Sequence, residues 1–277
     1  YILTVDVGNT FIRFGLFAED SAAARECPLA TCEITTPSSI TADEARMRLA
    51  QVMGALAADA GMPGALVPTA AVLSCVVPAL ERPWKTALSR TCTGRVLTVG
   101  PGLKTGMPVH YDDPAEIGPD RIADAVAARA VYGSPCIVID LGTTTNIEVI
   151  DARGTFVGGV IAPGLALGAR SLSAAAARLP QVEPSAPTHV IGRNTREAMR
   201  SGVVLGEVAR IDGMLDMVLA EMRATKAAGE GDVPIVITGD DAEALASLVG
   251  HSLTVDDALT LRGLAELYRI NQKPRRA

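Results

Sequence analysis

The sequence predicts an α/β protein built from two duplicated domains, each a β-β-β-α-β-α-β unit, with a cleft between them. Three observations predict it. An acid, a glycine-containing turn and a returning apolar run occur twice, as DVGNT at 6–10 and DLGTT at 140–144, 134 positions apart in a chain of 277 residues. In both halves, apolar runs of strand length alternate with longer stretches of helical periodicity, the pattern of a mixed sheet covered by helices. Residues 100–119 hold four prolines and four glycines and read as a connection between the halves. The expected domains are 1–117, with the first turn, and 118–277, with the second turn and a long helix.

Taken in order, 2–17 reads as strand, turn, strand: apolar residues end in Asp6, Gly8-Asn9-Thr10 reverses the chain, and FIRFGLF returns. Residues 31–35 could form a third strand. From 42 to 60, Ala45, Leu49, Val52, Met53, Leu56, Ala57 and Ala60 make one helical stripe, which Gly61 ends. A buried strand follows at 70–77, a helix at 78–91 containing the lone Trp84, and a strand at 95–99. A helix from 120 to about 132 opens the second half. Strands are expected near 136–140, 146–151 and 154–161, then a helix over 165–178 and a proline-rich loop at 180–189. Asn194 or Thr195 caps a long helix to about Met222. A strand at 235–238 enters Gly239-Asp240-Asp241; a helix to Val249, a short strand and a final helix over 257–270 complete the chain.

Composition narrows the function classes. A net charge of −6 with only four lysines, Lys85, Lys104, Lys226 and Lys273, argues against a nucleic-acid surface. The basic residues 273–276 read as a frayed terminus. No apolar run is long enough to span a bilayer and no basic-then-apolar leader is present, so no membrane partner and a cytoplasmic location are expected. The chain starts at Tyr1 inside its first strand, as if an initiator Met or short tag were missing. Five cysteines show no metal-finger spacing and read as free thiols in a reducing compartment. His110, His189 and His251 are scattered, which disfavours a histidine-based metal site or triad.

The two turns carry the chemistry. Gly8 and Gly142 let the backbone approach a ligand without an intervening side chain. The neighbouring N–H groups, with Asn9, Thr10, Thr143 and Thr144, can donate to phosphate oxygens. An aspartate ahead of such a turn would repel phosphate unless Mg²⁺ lay between them, a hard cation that takes carboxylate and phosphate oxygens together. Either turn alone reads more readily as an ordinary Asp-Gly hairpin; their repetition in the same order reverses that and favours ligand loops. There is no G-x-x-x-x-G-K-[ST] and no G-x-G-x-x-G after a strand, so P-loop and Rossmann readings lose their support.

Beyond the turns, the chain resembles the type III pantothenate kinases along nearly its whole length. The matching segments are DVGNT (6–10), YDDPAEIGPDR (111–121), DLGTT (140–144), GGVIAPG (158–164), RLP (178–180), GRNT (192–195) and ITG (237–239). The resemblance implies the actin-like (ribonuclease H-like) fold shared with sugar kinases and the Hsp70 ATPase domain. It implies ATP-dependent phosphorylation of pantothenate, the first step towards coenzyme A, in a homodimer whose active site is shared across the interface. By the same resemblance Asp120 is the general base, Arg121 holds the pantothenate carboxylate, and Tyr111 and Gly118 line the pantothenate pocket. Thr195 matches the residue supplied by the neighbouring subunit. Asp6 would hold Mg²⁺, with Gly8, Asn9 and Thr10 at the ATP phosphates. Asp140 matches the acid on the side of a monovalent cation, K⁺ or NH₄⁺, with Gly142, Thr143 and Thr144 on the second phosphate loop. On the residues alone, Asp120-Arg121 is also compatible with a helix start bearing an ion pair, and Asn194-Thr195 with a plain cap.

Four departures open a second reading. Thr144 replaces the family's alanine, Asn146 stands where threonine is common, and Glu148 stands near an expected Asp. Asp240 replaces the second of two glycines. Two like charges ~5 Å apart repel by roughly 3 kcal/mol at an effective dielectric near 20, enough to weaken ATP binding unless Asp240 turns outward. The alternative is therefore a non-catalytic dimeric relative that binds ligand or regulates, with impaired nucleotide use. A third possibility is a kinase of the same fold for another small hydroxylated acid.

Overall fold

Apolar strand residues that alternate between two helix-covered faces generate the same five-stranded sheet twice. The computed structural model describes residues 1–19, 27–62 and 64–272; the basic segment expected to fray, 273–276, lies outside them. The first sheet comprises β1 (Ile2–Val7), β2 (Phe11–Phe17), β3 (Ala30–Thr35), β4 (Ala70–Cys75) and β5 (Val96–Thr98), in the order β3-β2-β1-β4-β5. The second comprises β6 (Cys136–Leu141), β7 (Thr144–Ile150), β8 (Phe156–Pro163), β9 (Ile235–Gly239) and β10 (Thr254–Val255), ordered β10-β9-β6-β7-β8. Read from the third strand of each unit, the two orders are identical. In both, the first strand pairs antiparallel with the second and parallel with the fourth.

The helices form where their end signals stand. In α1 (Ala42–Asp59), Thr41 and Glu44 make a reciprocal capping box, and Pro78 opens α2 (Pro78–Thr91), where its missing N–H costs nothing. Both cover a core of Leu3, Val5, Phe14, Leu49, Leu56, Leu73 and Trp84. The rings of Phe14 and Trp84 meet at 5.6 Å and 59°. In the second unit, α4 (Leu165–Ala175), α6 (Gly206–Ala224) and α7 (Ala242–Ala246) cover Ile137, Ile139, Ile147, Val149 and Ile237. The long helix expected from 194 is interrupted. Asn194 caps α5 (Thr195–Arg200), a π-helical turn occupies Ser201–Leu205, and α6 continues from Gly206.

Packing divides the chain into two compact units: Tyr1–Val131 together with the chain from Ala258 onward, and Tyr132–Asp257. This differs from the boundary expected at 117/118. Helix α3 (Pro119–Tyr132) belongs almost wholly to the first unit, and α8 (Leu259–Ile270) returns to it. The reason lies in α8, whose Leu261, Leu264, Ala265 and Leu267 are buried as it packs on β1, β4 and β2. A Cβ at Gly263 would stand 1.9 Å from the Ala123 carbonyl oxygen. The two helices thus meet backbone to backbone.

Candidate active site

In the first unit, chemistry gathers at the C-terminal end of β1. Asp6 is buried there, in register with Arg13 of β2 and Ser74 of β4. Its Oδ1 and the Ser74 Oγ are both shielded from solvent and make no well-formed hydrogen bond among the described residues, although the Ser74 hydroxyl is near enough to favour the carboxylate. Burial, and then the charge of Asp120, raises the Asp6 carboxyl to about 6, against the lowering influence of Ser74 and Arg13. Arg13 also donates to Glu33 at 3.0 Å. Past Asp6, the Gly8 N–H donates to the Phe11 carbonyl at 3.0 Å, and the Thr36 hydroxyl donates to the Gly8 carbonyl at 2.8 Å. These bonds fix the turn and leave Asn9 and Thr10 exposed.

Asp120 stands in the first turn of α3, and its Oδ1 accepts the Arg121 N–H at 2.8 Å. Burial pushes its carboxyl above the ordinary range, while the Arg121 N–H and guanidinium pull the other way. A Cβ at Gly118 would lie 2.4 Å from that Oδ1, so glycine there makes room for the carboxylate. Arg121 is buried beside it and Tyr111 is half-buried. The structure therefore brings Asp6 and Asp120 within electrostatic reach of each other. It adds Arg13 and Ser74, which sequence reasoning missed. A signal existed, because a three-residue turn at 8–10 fixes the hairpin register that sets Arg13 opposite Asp6. Ser74 gave none; only strand order reveals it.

The second unit repeats the arrangement on β6. Asp140 pairs in register with Asn146 and with Thr238, and Asn146 Nδ2 donates to Asp140 Oδ2 at 3.5 Å. The Gly142 N–H donates to the Thr144 carbonyl at 3.0 Å, and the Gly164 N–H donates to the Thr143 carbonyl at 3.1 Å. A Cβ on Gly164 would fall 2.3 Å from the Gly142 oxygen. The GGVIAPG segment is thus the buttress of the 142–144 turn. From the other side Gly239, at φ +100, passes the Leu141 carbonyl, which accepts the Asp240 N–H at 3.0 Å. Asp240 itself is exposed, so water screens its charge. Glu148 is fully buried opposite Val138, two pairs further from the turn than Asp140 and Asn146. Thr195, the first residue of α5, is exposed.

Comparison with known proteins bears on this geometry. The sequence model of the family described as Type III pantothenate kinase matches residues 2–217. A type III pantothenate kinase from Koribacter versatilis is 37% identical over 275 residues, covering 98% of this chain and 96% of that protein. One from Nocardia farcinica is 40% identical over 279 residues, covering 99% of each. Among solved structures, a ROK hexokinase from Thermus thermophilus superposes with a TM-score of 0.51 at 14% identity, covering 98% of this chain and 99% of that one; that likeness concerns the fold. With both turns built alike and the match running through them, this chain belongs to the type III pantothenate kinase family.

Proposed function

We propose that this protein transfers the γ-phosphoryl of ATP to the primary hydroxyl of pantothenate, the first step towards coenzyme A. The observation that carries the proposal is the pair Asp6 and Asp120: two carboxylates in electrostatic reach, both raised by burial, at a glycine turn and a helix start. Environments that hold a carboxylate above its ordinary range assign it to proton or cation traffic. Asp120 accepts the hydroxyl proton as the new O–P bond forms and the bond from the γ-phosphorus to the β-bridging oxygen breaks, leaving ADP. Arg121 supplies positive charge for the pantothenate carboxylate, with Tyr111 and Gly118 at the same pocket. Gly8, Asn9 and Thr10 take the phosphates on the first unit, and Gly142, Thr143 and Thr144 on the second.

Asp6 would hold the divalent ion that accompanies ATP. Its buried Oδ1, making no well-formed hydrogen bond among the described residues, fits a hard cation. When bound, such an ion neutralises charge on the phosphate oxygens. Asp140, braced by Asn146, is the acid we assign to a monovalent cation, K⁺ or NH₄⁺. A homodimer is supported by exposed apolar side chains around the GRNT turn, Val190 at 73% and Ile191 at 83%, next to the exposed Thr195 that we assign to the partner's site. Among the described residues no helix is long and apolar enough to cross a membrane, which fits the cytoplasmic location we propose.

The non-catalytic reading rested on Asp240 and the altered second turn. It finds no support, since Asp240 is exposed and its N–H makes the Leu141 contact that a glycine would make. The test is direct: incubate the protein with Mg-ATP, pantothenate and KCl, and follow both products by mass spectrometry. Phosphopantothenate and ADP in equal amounts are expected. ADP without phosphopantothenate, or no ADP at all, refutes the proposal.

A further inference from the structure

Beneath the second turn, on the opposite sheet face from Asp140 and Asn146, lies a buried cluster whose polar side chains, Thr145, Glu207 and Arg210, stand outside the segments that carry the family resemblance. Strand pleating sends Thr144 and Thr145 to opposite faces. The Thr145 hydroxyl, on the helix-covered face, donates to Glu207 Oε1 at 2.6 Å. Glu207, 5% exposed, also pairs with Arg210, and Arg210 donates to the Pro163 carbonyl at 2.5 Å. Thr145 directly follows the 142–144 turn. Pro163 directly precedes Gly164, whose N–H holds Thr143. One ion pair on α6 therefore ties down both chain segments that frame the turn.

The route by which Glu207 arrives there is unusual. The π-helical turn at Ser201–Leu205 ends two residues before it, and a π turn adds a residue to the helical ring and so changes which side chains face the sheet beyond it. Glu207 also reaches the neighbouring 239–241 turn electrostatically. Asp241 is held above the ordinary carboxylate range by burial, then by the charges of Asp240 and Glu207.

We propose that Glu207 and Arg210 are positioning residues for the nucleotide: through Thr145 and Pro163 they fix the turn whose N–H and hydroxyl groups meet the ATP phosphates. The inference rests on the assignment of 142–144 as a phosphate loop. A preorganised donor array loses effectiveness steeply when displaced, so loosening the clamp weakens nucleotide binding selectively. A role confined to stability would instead lower the folded fraction and leave the Michaelis constants alone.

The experiment compares steady-state kinetics and calorimetric ADP binding for wild type, Glu207→Gln, Thr145→Val and the double variant Thr143→Val with Thr144→Val. Thr145→Val keeps the side-chain shape and guards against misfolding of the charge variant. Glu207→Gln and Thr145→Val are each expected to raise KM for ATP and Kd for ADP about tenfold, with KM for pantothenate within about twofold. Unchanged ADP affinity in both variants, while the double variant loses it, overturns the clamp and leaves the phosphate-loop reading standing. Unchanged ADP affinity in the double variant overturns that reading itself, and the clamp with it.

Discussion

At single residues, the chemistry depends on how a carboxylate is tuned by its surroundings. Asp6 has its pKa raised to about 6 by burial and then by Asp120. The folded protein then holds a proton that the unfolded chain releases. That contribution to stability is fully present below the unfolded value near 3.8 and is lost as pH rises through about 6. A divalent ion competes for the same oxygens. We predict that Mn²⁺ affinity, followed by the loss of the free-ion EPR signal, is flat above pH ~6 and falls by up to tenfold per pH unit below it. Asp6→Asn should bind Mn²⁺ weakly at every pH. Affinity that is independent of pH in wild type would mean that Asp6 is not the ligand. Asp6 was readable from the glycine turn that follows it two residues on, whereas the role of Asp120 came only from the family resemblance. Arg13 was within reach through the turn that fixes the hairpin register, but Ser74 and Glu207 were not, because neighbours from non-adjacent strands and helices are set by tertiary packing that no local motif encodes.

At the scale of elements, the turns between strands show which short segments hold the sheets in register. Between β7 and β8, Asp151 is buried, and its carboxylate accepts the N–H groups of Arg153 and Thr155, each at 2.9 Å. Burial alone would raise its pKa, but the Thr155 N–H and the Arg153 side chain and N–H outweigh it and hold it below the ordinary range. A depressed carboxyl stabilises the fold above its unfolded pKa, and that stability is lost as pH falls through the lower folded value. Asp151→Ala should cost about 1–3 kcal/mol at neutral pH. The loss, measured by urea unfolding, should shrink towards pH 3; a loss of the same size at both would contradict this account. Nearly every strand and helix was readable from periodicity and caps, down to the Pro78 start of α2. The π turn was not, because no local motif marks the one-residue shift it makes in the helix face.

At the scale of the molecule, duplication is the organising fact, and the sequence showed it through DVGNT and DLGTT. The allegiance of α3 and α8 was hidden, because an amphipathic helix declares that it needs a sheet but not which one. The Gly263 contact with Ala123 supplies the answer and a test. Gly263→Ala forces a methyl into backbone and should destabilise the protein by about 1–3 kcal/mol by overpacking, read as a lower urea midpoint; an unchanged midpoint would remove that contact from the argument. The proposed dimer is tested at the exposed apolar pair beside Thr195. Val190→Asp with Ile191→Asp should shift the protein to monomer in sedimentation velocity and abolish turnover while leaving its unfolding cooperative. A dimer that survives the change would move the interface elsewhere.

The most direct test of the central claim is phosphoryl transfer from Mg-ATP to pantothenate by Asp120→Asn beside wild type, with pantothenate binding measured on both. The account predicts turnover in wild type and a loss of about 10²–10⁴-fold in kcat for the variant, with pantothenate still bound. A variant that turns over at the wild-type rate would contradict it, because the proton of the attacking hydroxyl would then be leaving by another route.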